Sequence, residues 1–371
     1  MKIGLDCRLS GKKYAAGIGR YIENLAVNLP VDNQKHKWVY FFRNQKQAEE
    51  VLQQIPDELQ SQIKIIITPI RHYSLAEQVK WPQILRKEKL DLLHVPHFNI
   101  PLLYGGKIVT TIHDLLWHQQ IGPEVTTLPA ATYYFKYLAY RLVTHQAVHR
   151  SQKIFVPTKT IKKTITKYYP EVEDRIIVTL EGISPHFAQL VKKKNTAKIK
   201  KNQLVYVGSL YPHKNVELIL QAMTKMPILE LVIVSARNAF SKRFLKQTQK
   251  YGLEQRVTLT GYLSDKDLVK TIQQSLALIQ PSLSEGFGLT GIEAMAAGTP
   301  VLASDIDVFH EIYQDAPLYF DPQQVEELIQ TLKNIQQSKT RNTQINKGKK
   351  IAQQYSWKKM AKLTKAGYEQ V

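Results

Sequence analysis

Residues 281–303 read PSLSEGFGLTGIEAMAAGTPVLA, and this stretch decides the fold. An apolar run, Leu276 to Gln280, ends at Pro281 and reads as a strand. A Gly-rich turn follows, with a carboxylate at Glu285. Small residues continue into a helix that carries a second carboxylate, Glu293. Gly298, Thr299 and Pro300 stop that helix, and Val301 to Ala303 start a new strand. A strand, a glycine turn and a helix N-terminus make an anion site. The first helical turn leaves backbone N–H groups unpaired and carries the positive end of the dipole. Two carboxylates beside such a site fit a ligand that is part phosphate and part neutral hydroxyl, as a sugar nucleotide is. The amides of Gly286, Phe287, Gly288 and Leu289 are expected to meet its phosphate or sugar oxygens. The competing reading is a carboxylate that only favours the helix dipole, plus a solvated glutamate. It is set aside because the glycines flanking Phe287 serve no capping purpose.

The same alternation runs through the whole chain. Candidate strands are Lys2–Asp6, Trp38–Phe42, Ile63–Ile67, Leu92–Val95, Ile108–Ile112, Ile154–Val156 and Ile176–Thr179. After a break come Leu204–Val207, Leu231–Val234, Val257–Leu259, Leu276–Gln280 and Val301–Ala303. Most are continuous apolar runs, as sheets covered on both faces require. Helical spacing lies between them: Ile22, Leu25, Ala26 and Leu29 fall at i, i+3, i+4, i+7. Strands alternating with helices predict parallel, doubly wound sheets. The break, Leu190 to Lys201, is Lys-rich and without period, and reads as a linker. Two Rossmann-like domains follow, 1–187 and 203–352. A terminal segment, 353–371, restarts a helix with Ser356 as N-cap.

Bulk composition bounds the class. The chain has 371 residues, 43% hydrophobic and 22% charged, ordinary for a water-soluble globular protein with two cores. Its single cysteine excludes an intramolecular disulfide and any Cys-based metal cluster. No apolar run approaches the ~20 residues of a membrane span. The N-terminus enters a strand directly, so a cytoplasmic chain is expected. The net charge of +20 favours anionic partners such as phosphates, anionic lipid heads or nucleic acid.

Further candidate site residues lie after other strands. Gly208, Ser209 and Lys214 follow Val207, and Lys214 is expected to neutralise a diphosphate as charge develops on it. A surface lysine at a helix start is the competing reading. Gly17, Gly19 and Arg20 precede the first helix, where glycines let a ligand approach the backbone and the arginine suits a phosphate or an anionic acceptor. A tight turn alone competes there. His113 and Asp114 end a strand, where an imidazole can hydrogen-bond a donor or orient an acceptor hydroxyl. His94 and His97 stand three apart without further ligands, and read as rim or core rather than as a metal site. Two helical segments, the aromatic Tyr133 to Arg141 and the basic Lys159 to Lys167, fit either an anionic membrane surface or a core face with solvated lysines.

Taken together, the spacing of Glu285 and Glu293 and the residues around them resemble the paired-glutamate motif of the retaining glycosyltransferases of family 4. The resemblance covers nearly the whole chain. It implies the GT-B fold, with two Rossmann-like domains whose parallel sheets face a central cleft and a terminal helix that crosses back to the first domain. It implies that Glu285 meets donor-sugar hydroxyls, Glu293 the ribose diol, and the backbone near Gly261 and Tyr262 the nucleotide base. It places the Gly17–Gly19 loop by the donor diphosphate and the acceptor, His113 beside the reacting sugar and Asp114 nearer the acceptor. Where the family often has an arginine after the glycine, this chain has Ser209. The implied activity is metal-independent, retaining hexosyl transfer from a nucleotide-diphosphate sugar to an acceptor hydroxyl, with no cofactor. A mannosyltransferase-like member of cell-surface polysaccharide assembly is expected, with GDP-mannose as donor and a saccharide or lipid-linked saccharide as acceptor. The alternatives are a GT-B epimerase or phosphorylase and, from another class, a basic nucleic-acid-binding protein. The last predicts clustered arginines with aromatics on one face, whereas the charge here is diffuse and mostly lysine.

Overall fold

The computed structural model describes residues 1–11, 17–32, 35–192, 199–235 and 240–371. Its first sheet holds β1 (Lys2–Asp6), β2 (Lys37–Phe42), β3 (Ile63–Ile67), β4 (Leu92–Val95), β5 (Ile108–Thr111), β6 (Ser151–Val156) and β7 (Ile176–Val178). The order is β3-β2-β1-β4-β5-β6-β7, and every pair is parallel. The second sheet holds β8 (Lys200–Val207), β9 (Glu230–Val234), β10 (Val257–Gly261), β11 (Ser275–Gln280), β12 (Val301–Ser304) and β13 (Leu318–Phe320). Its order, β10-β9-β8-β11-β12-β13, repeats that of the first, again all parallel. In both sheets the strand order reverses beside the first strand, between β1 and β4 and between β8 and β11. Such a point leaves a crevice outside the carboxyl ends of the strands.

Strand burial follows from this layering. Every residue of β11 and of β12 is buried, as a strand covered on both faces must be. The second core joins Leu204, Ile219, Leu231, Ile279, Leu302 and Leu328. Burial of each such side chain is worth about 1.5–3 kcal/mol. β13 is absent from the sequence-based strands. It has three residues and follows Pro317, so no run there is long enough to signal a strand.

The chain divides into two compact units: residues 1–117, 134–181 and 357–371 in the first, 118–133 and 182–356 in the second. The helix Pro185–Lys192 packs on the helices Asp265–Gln274 and Leu289–Ala296, which places it in the second unit. The linker expected over 190–201 is shorter than read: this helix runs to Lys192 and β8 starts at Lys200. Residues 193–198 of it lie outside the described residues. The helix Trp357–Tyr368 packs on the helix Gly17–Asn28 and on β6 within the first unit. It buries Trp357, Met360, Ala361, Thr364 and Tyr368, a continuous helical stripe.

Candidate active site

In the second unit, β8 and β11 deliver two loops to the same crevice. Gly208 leaves β8, and a Cβ there would lie 2.8 Å from the Tyr206 hydroxyl, so a larger residue would have to displace that ring. The loop then forms a 3-10 turn, Pro212–Lys214, closed by Asn215 at φ 52°. From β11, Pro281 starts the loop that carries Glu285, and the backbone N–H of Leu283 donates to the carbonyl of His213 at 2.8 Å. This bond ties the loops together. Lys214 Nζ lies 2.6 Å from Glu285 Oε1, and the Ser282 hydroxyl donates to the same oxygen at 2.9 Å. Burial pushes the Glu285 carboxyl up. The charge and hydrogen bond of Lys214, with help from His213 and Ser282, outweigh burial and hold it below the ordinary glutamate value.

Gly288 is the N-cap of the helix Leu289–Ala296, at φ 91°. This corrects the expectation that the glycines beside Phe287 serve no capping purpose. A Cβ on Gly288 would lie 2.1 Å from the Tyr313 hydroxyl, and one on Gly291 2.3 Å from it. The single proton of the Tyr313 hydroxyl is shared between Gln280 Oε1, at 2.7 Å, and the Gly288 carbonyl. Strand, turn and helix start are thereby locked. Phe287 faces inward and meets Tyr355 edge-on at 5.5 Å. The amide nitrogens of the turn, rather than this ring, are what a ligand could use. Glu293 is buried in the same helix, and Tyr262 is exposed after Gly261, which has φ 72°. A hollow of about 480 Å³ opens beside Leu283, between Asp305, Ile306, Asp321, Pro322 and Gln323. Neither Lys214 nor Glu285 lines it.

The second unit also takes in a segment from the N-terminal half. The 3-10 turn Pro123–Val125 lies against Pro212–Lys214, and the Ser284 hydroxyl is 3.4 Å from Gln119 Oε1. Sequence reading had placed these residues with the first domain.

In the first unit, Gly17 opens the helix Gly17–Asn28, and a Cβ there would meet open space. Gly19 is buried and Arg20 half-buried in the first turn. His113 follows β5. Its Nε2 is 3.3 Å from the Pro96 carbonyl, its Nδ1 3.6 Å from Glu181 Oε1, and Tyr21 meets its ring edge-on at 4.7 Å. Asp114 turns away to accept from the backbone N–H of Leu116. His94 is a core residue: Nδ1 meets the Tyr368 hydroxyl at 2.6 Å and Nε2 the Thr111 hydroxyl at 2.8 Å. Burial lowers His94 and His97 to about 3, which keeps both neutral near pH 7.

Two residues that sequence reading did not single out stand here. Arg8 is fully buried, bonded to both oxygens of Asp6 and to Glu77 at 2.8 Å each, with its guanidinium 3.5 Å over the Trp81 ring. The pairing of charges at the end of β1 was its signal. Glu181 had none.

The class follows from these observations. Two parallel sheets of Rossmann order, one presenting a lysine and a glutamate at its switch point, are the architecture of a GT-B glycosyltransferase. In fold the chain matches sucrose-phosphate synthase from Thermosynechococcus elongatus with TM-score 0.76, at 19% identity, over 100% of this chain and 98% of that one. Family models agree along the length: residues 15–187 match glycosyltransferase family 4 and residues 188–351 match the glycosyl transferases group 1. The chain belongs to this family and is a glycosyltransferase. Among curated relatives, it is 28% identical to the O-antigen chain mannosyltransferase RfbU of Salmonella typhimurium over 278 residues, 75% of this chain and 72% of the relative. It is 26% identical to O-antigen chain mannosyltransferase B of Escherichia coli over 312 residues, 81% of this chain and 80% of the relative.

Proposed function

We propose that this glycosyltransferase moves a mannosyl group from GDP-mannose to a hydroxyl of a saccharide or lipid-linked saccharide, in bacterial cell-surface polysaccharide assembly. The observation that carries the reading is the meeting of Lys214 and Glu285 at the switch point of the second sheet. The diphosphate takes the Lys214 charge and the amides of Gly286, Gly288 and Leu289. Glu285, released from its partner, accepts from sugar hydroxyls, and Glu293 serves the ribose diol. Lysine and helix N-terminus together supply the positive charge, so the reaction needs no metal ion. As the nucleotide departs, its phosphate oxygen assists attack by the acceptor on the same face, with retention of configuration. His113 hydrogen-bonds substrate, and Arg20 and Asp114 serve the acceptor side. The relatives' names support mannose and O-antigen-like acceptors.

A lipid-linked acceptor also accounts for the helix Ala130–Arg150. Its inner face buries Tyr140, Thr144, Ala147 and Val148. Its outer face leaves Phe135, Leu138 and Leu142 exposed by 75%, 67% and 57%, at i, i+3, i+7. Exposed Lys136 and Arg141 flank that stripe. An apolar stripe edged by cations on a chain of net charge +20 suits an anionic bilayer surface. The helix Lys159–Tyr168 instead turns Ile161 and Ile165 inward and its lysines outward. No helix among the described residues is long and apolar enough to cross a membrane.

Thermal shift against GDP, UDP, ADP and duplex DNA tests the reading. Stabilisation by GDP that persists at moderate salt is the expected result, about 2.7 kcal/mol at a hundredfold excess over Kd. Stabilisation by DNA alone, lost with salt, would overturn it.

A further inference from the structure

The loop after β7 contains a residue in an unfavourable conformation. Leu180 sits at φ 62°, in the left-handed region that a bulky L-residue rarely enters. Such strained positions cluster at active sites and ligand clamps. The residue that follows Leu180 is Glu181, which is buried, with Oε1 3.6 Å from His113 Nδ1. The other ring nitrogen, Nε2, lies 3.3 Å from the Pro96 carbonyl. Both nitrogens therefore face acceptors. At 3.6 Å the Glu181 contact is one of charge rather than a full hydrogen bond. A carboxylate facing a ring nitrogen at that range repels a lone pair and attracts an N–H.

We propose that Glu181 is a positioning residue for His113: its carboxylate keeps a proton on Nδ1, so that Nε2 is the atom presented to substrate. In an imidazole, the partner of one nitrogen sets what the other can do. With the proton on Nδ1, Nε2 sets a lone pair against the Pro96 carbonyl at 3.3 Å, a contact that a substrate hydroxyl donating to Nε2 would relieve. Tyr21 packs edge-on against the ring at 4.7 Å and supports its plane from the side. Glu181 need never touch substrate. The proposal rests on the reading of His113 as a substrate-contacting residue, and the experiment separates the two.

Four proteins are compared: wild type, Glu181→Gln, Glu181→Asp and His113→Ala. Each is labelled with 15N in the histidine rings, and His113→Ala identifies the His113 signals by their loss. GDP release from GDP-mannose is measured in parallel, and circular dichroism checks folding. The expected result is an Nδ1 of N–H type in wild type that shifts towards the lone-pair type in Glu181→Gln. Turnover is expected to fall at least about tenfold, as when an outer-shell partner that orients a histidine is lost, with KM for GDP-mannose little changed. Glu181→Asp is expected to recover part of both effects. If Glu181→Gln leaves the ring signals and turnover as in wild type while His113→Ala is inactive, the role of Glu181 is overturned and His113 stands. If His113→Ala keeps full turnover, the reading of His113 falls and the proposal with it. If Glu181→Gln unfolds, Glu181→Asp decides: unchanged ring signals in that variant count against the proposal.

Discussion

Lys214 and Glu285 stand 71 positions apart in sequence and 2.6 Å apart in space. One was read as the partner of a diphosphate and the other as the partner of sugar hydroxyls. The two satisfy each other, which is how largely buried opposite charges are tolerated. A donor bound as proposed exchanges this pair for its own contacts. Lys214→Ala is expected to weaken GDP by roughly 1.5–3 kcal/mol, the range for a hydrogen bond to a charged group, and guanosine far less. Calorimetry giving equal losses for the two would contradict a phosphate role.

Glu285→Gln keeps size and hydrogen-bonding capacity but removes the charge. Turnover of GDP-mannose is expected to fall by about 10² or more, while GDP affinity stays within a few-fold. Full turnover in this variant would remove Glu285 from the chemistry.

The pair also makes stability depend on pH. Glu285 is held below its ordinary value in the folded chain. Its contribution is thus complete above the unfolded value, about 4.3, and is lost as pH falls through the lower folded value. Lys214→Met leaves burial opposed only by His213 and Ser282 and is expected to cost about 1–3 kcal/mol at pH 7. That cost should shrink as the pH approaches 3. Urea unfolding of both proteins at pH 7, 5 and 3.5 measures it, and a pH-independent difference would show that the lysine acts by packing alone.

Gly288→Ala forces a Cβ to within 2.1 Å of the Tyr313 hydroxyl, at a φ that alanine disfavours. A loss of about 2–4 kcal/mol is expected from crowding and strain together. Adding Tyr313→Phe removes the nearest atom and should recover only part of it, because the left-handed backbone strain remains. An unchanged melting temperature in Gly288→Ala would refute the packing account of this glycine.

Vesicle co-sedimentation tests the exposed helix stripe. Wild type is expected to bind vesicles of phosphatidylglycerol and phosphatidylethanolamine, and phosphatidylcholine vesicles much less. Changing Phe135, Leu138 and Leu142 to Ser should reduce binding at least about tenfold, given ~25 cal/mol for each Å² of apolar surface withdrawn from water. Binding that survives the triple change, or that ignores lipid charge, would assign the surface to something else.

Much of this was legible in the chain. Residues 281–303 show the strand, the turn, the helix and both glutamates because they are local: each follows from neighbours a few positions away. The strand runs give two parallel sheets for the same reason, and β13 escaped only through its brevity. Gly288 was noticed, but the reason for it, the ring of Tyr313, lies 25 positions downstream. Its place after β8 suggests a role for Lys214 and the family motif one for Glu285, but neither signals their contact.

Sequence by itself determined the elements, their alternation and the residues that end each strand, because periodicity and backbone preference act over single turns. Tertiary structure alone decided which strand ends become neighbours. His113 after β5 and Glu181 after β7 meet because both strands run parallel and end at the same edge of one sheet. Strand order is a property of the assembled sheet, set by which apolar faces can be covered together, and no local stretch of chain encodes it.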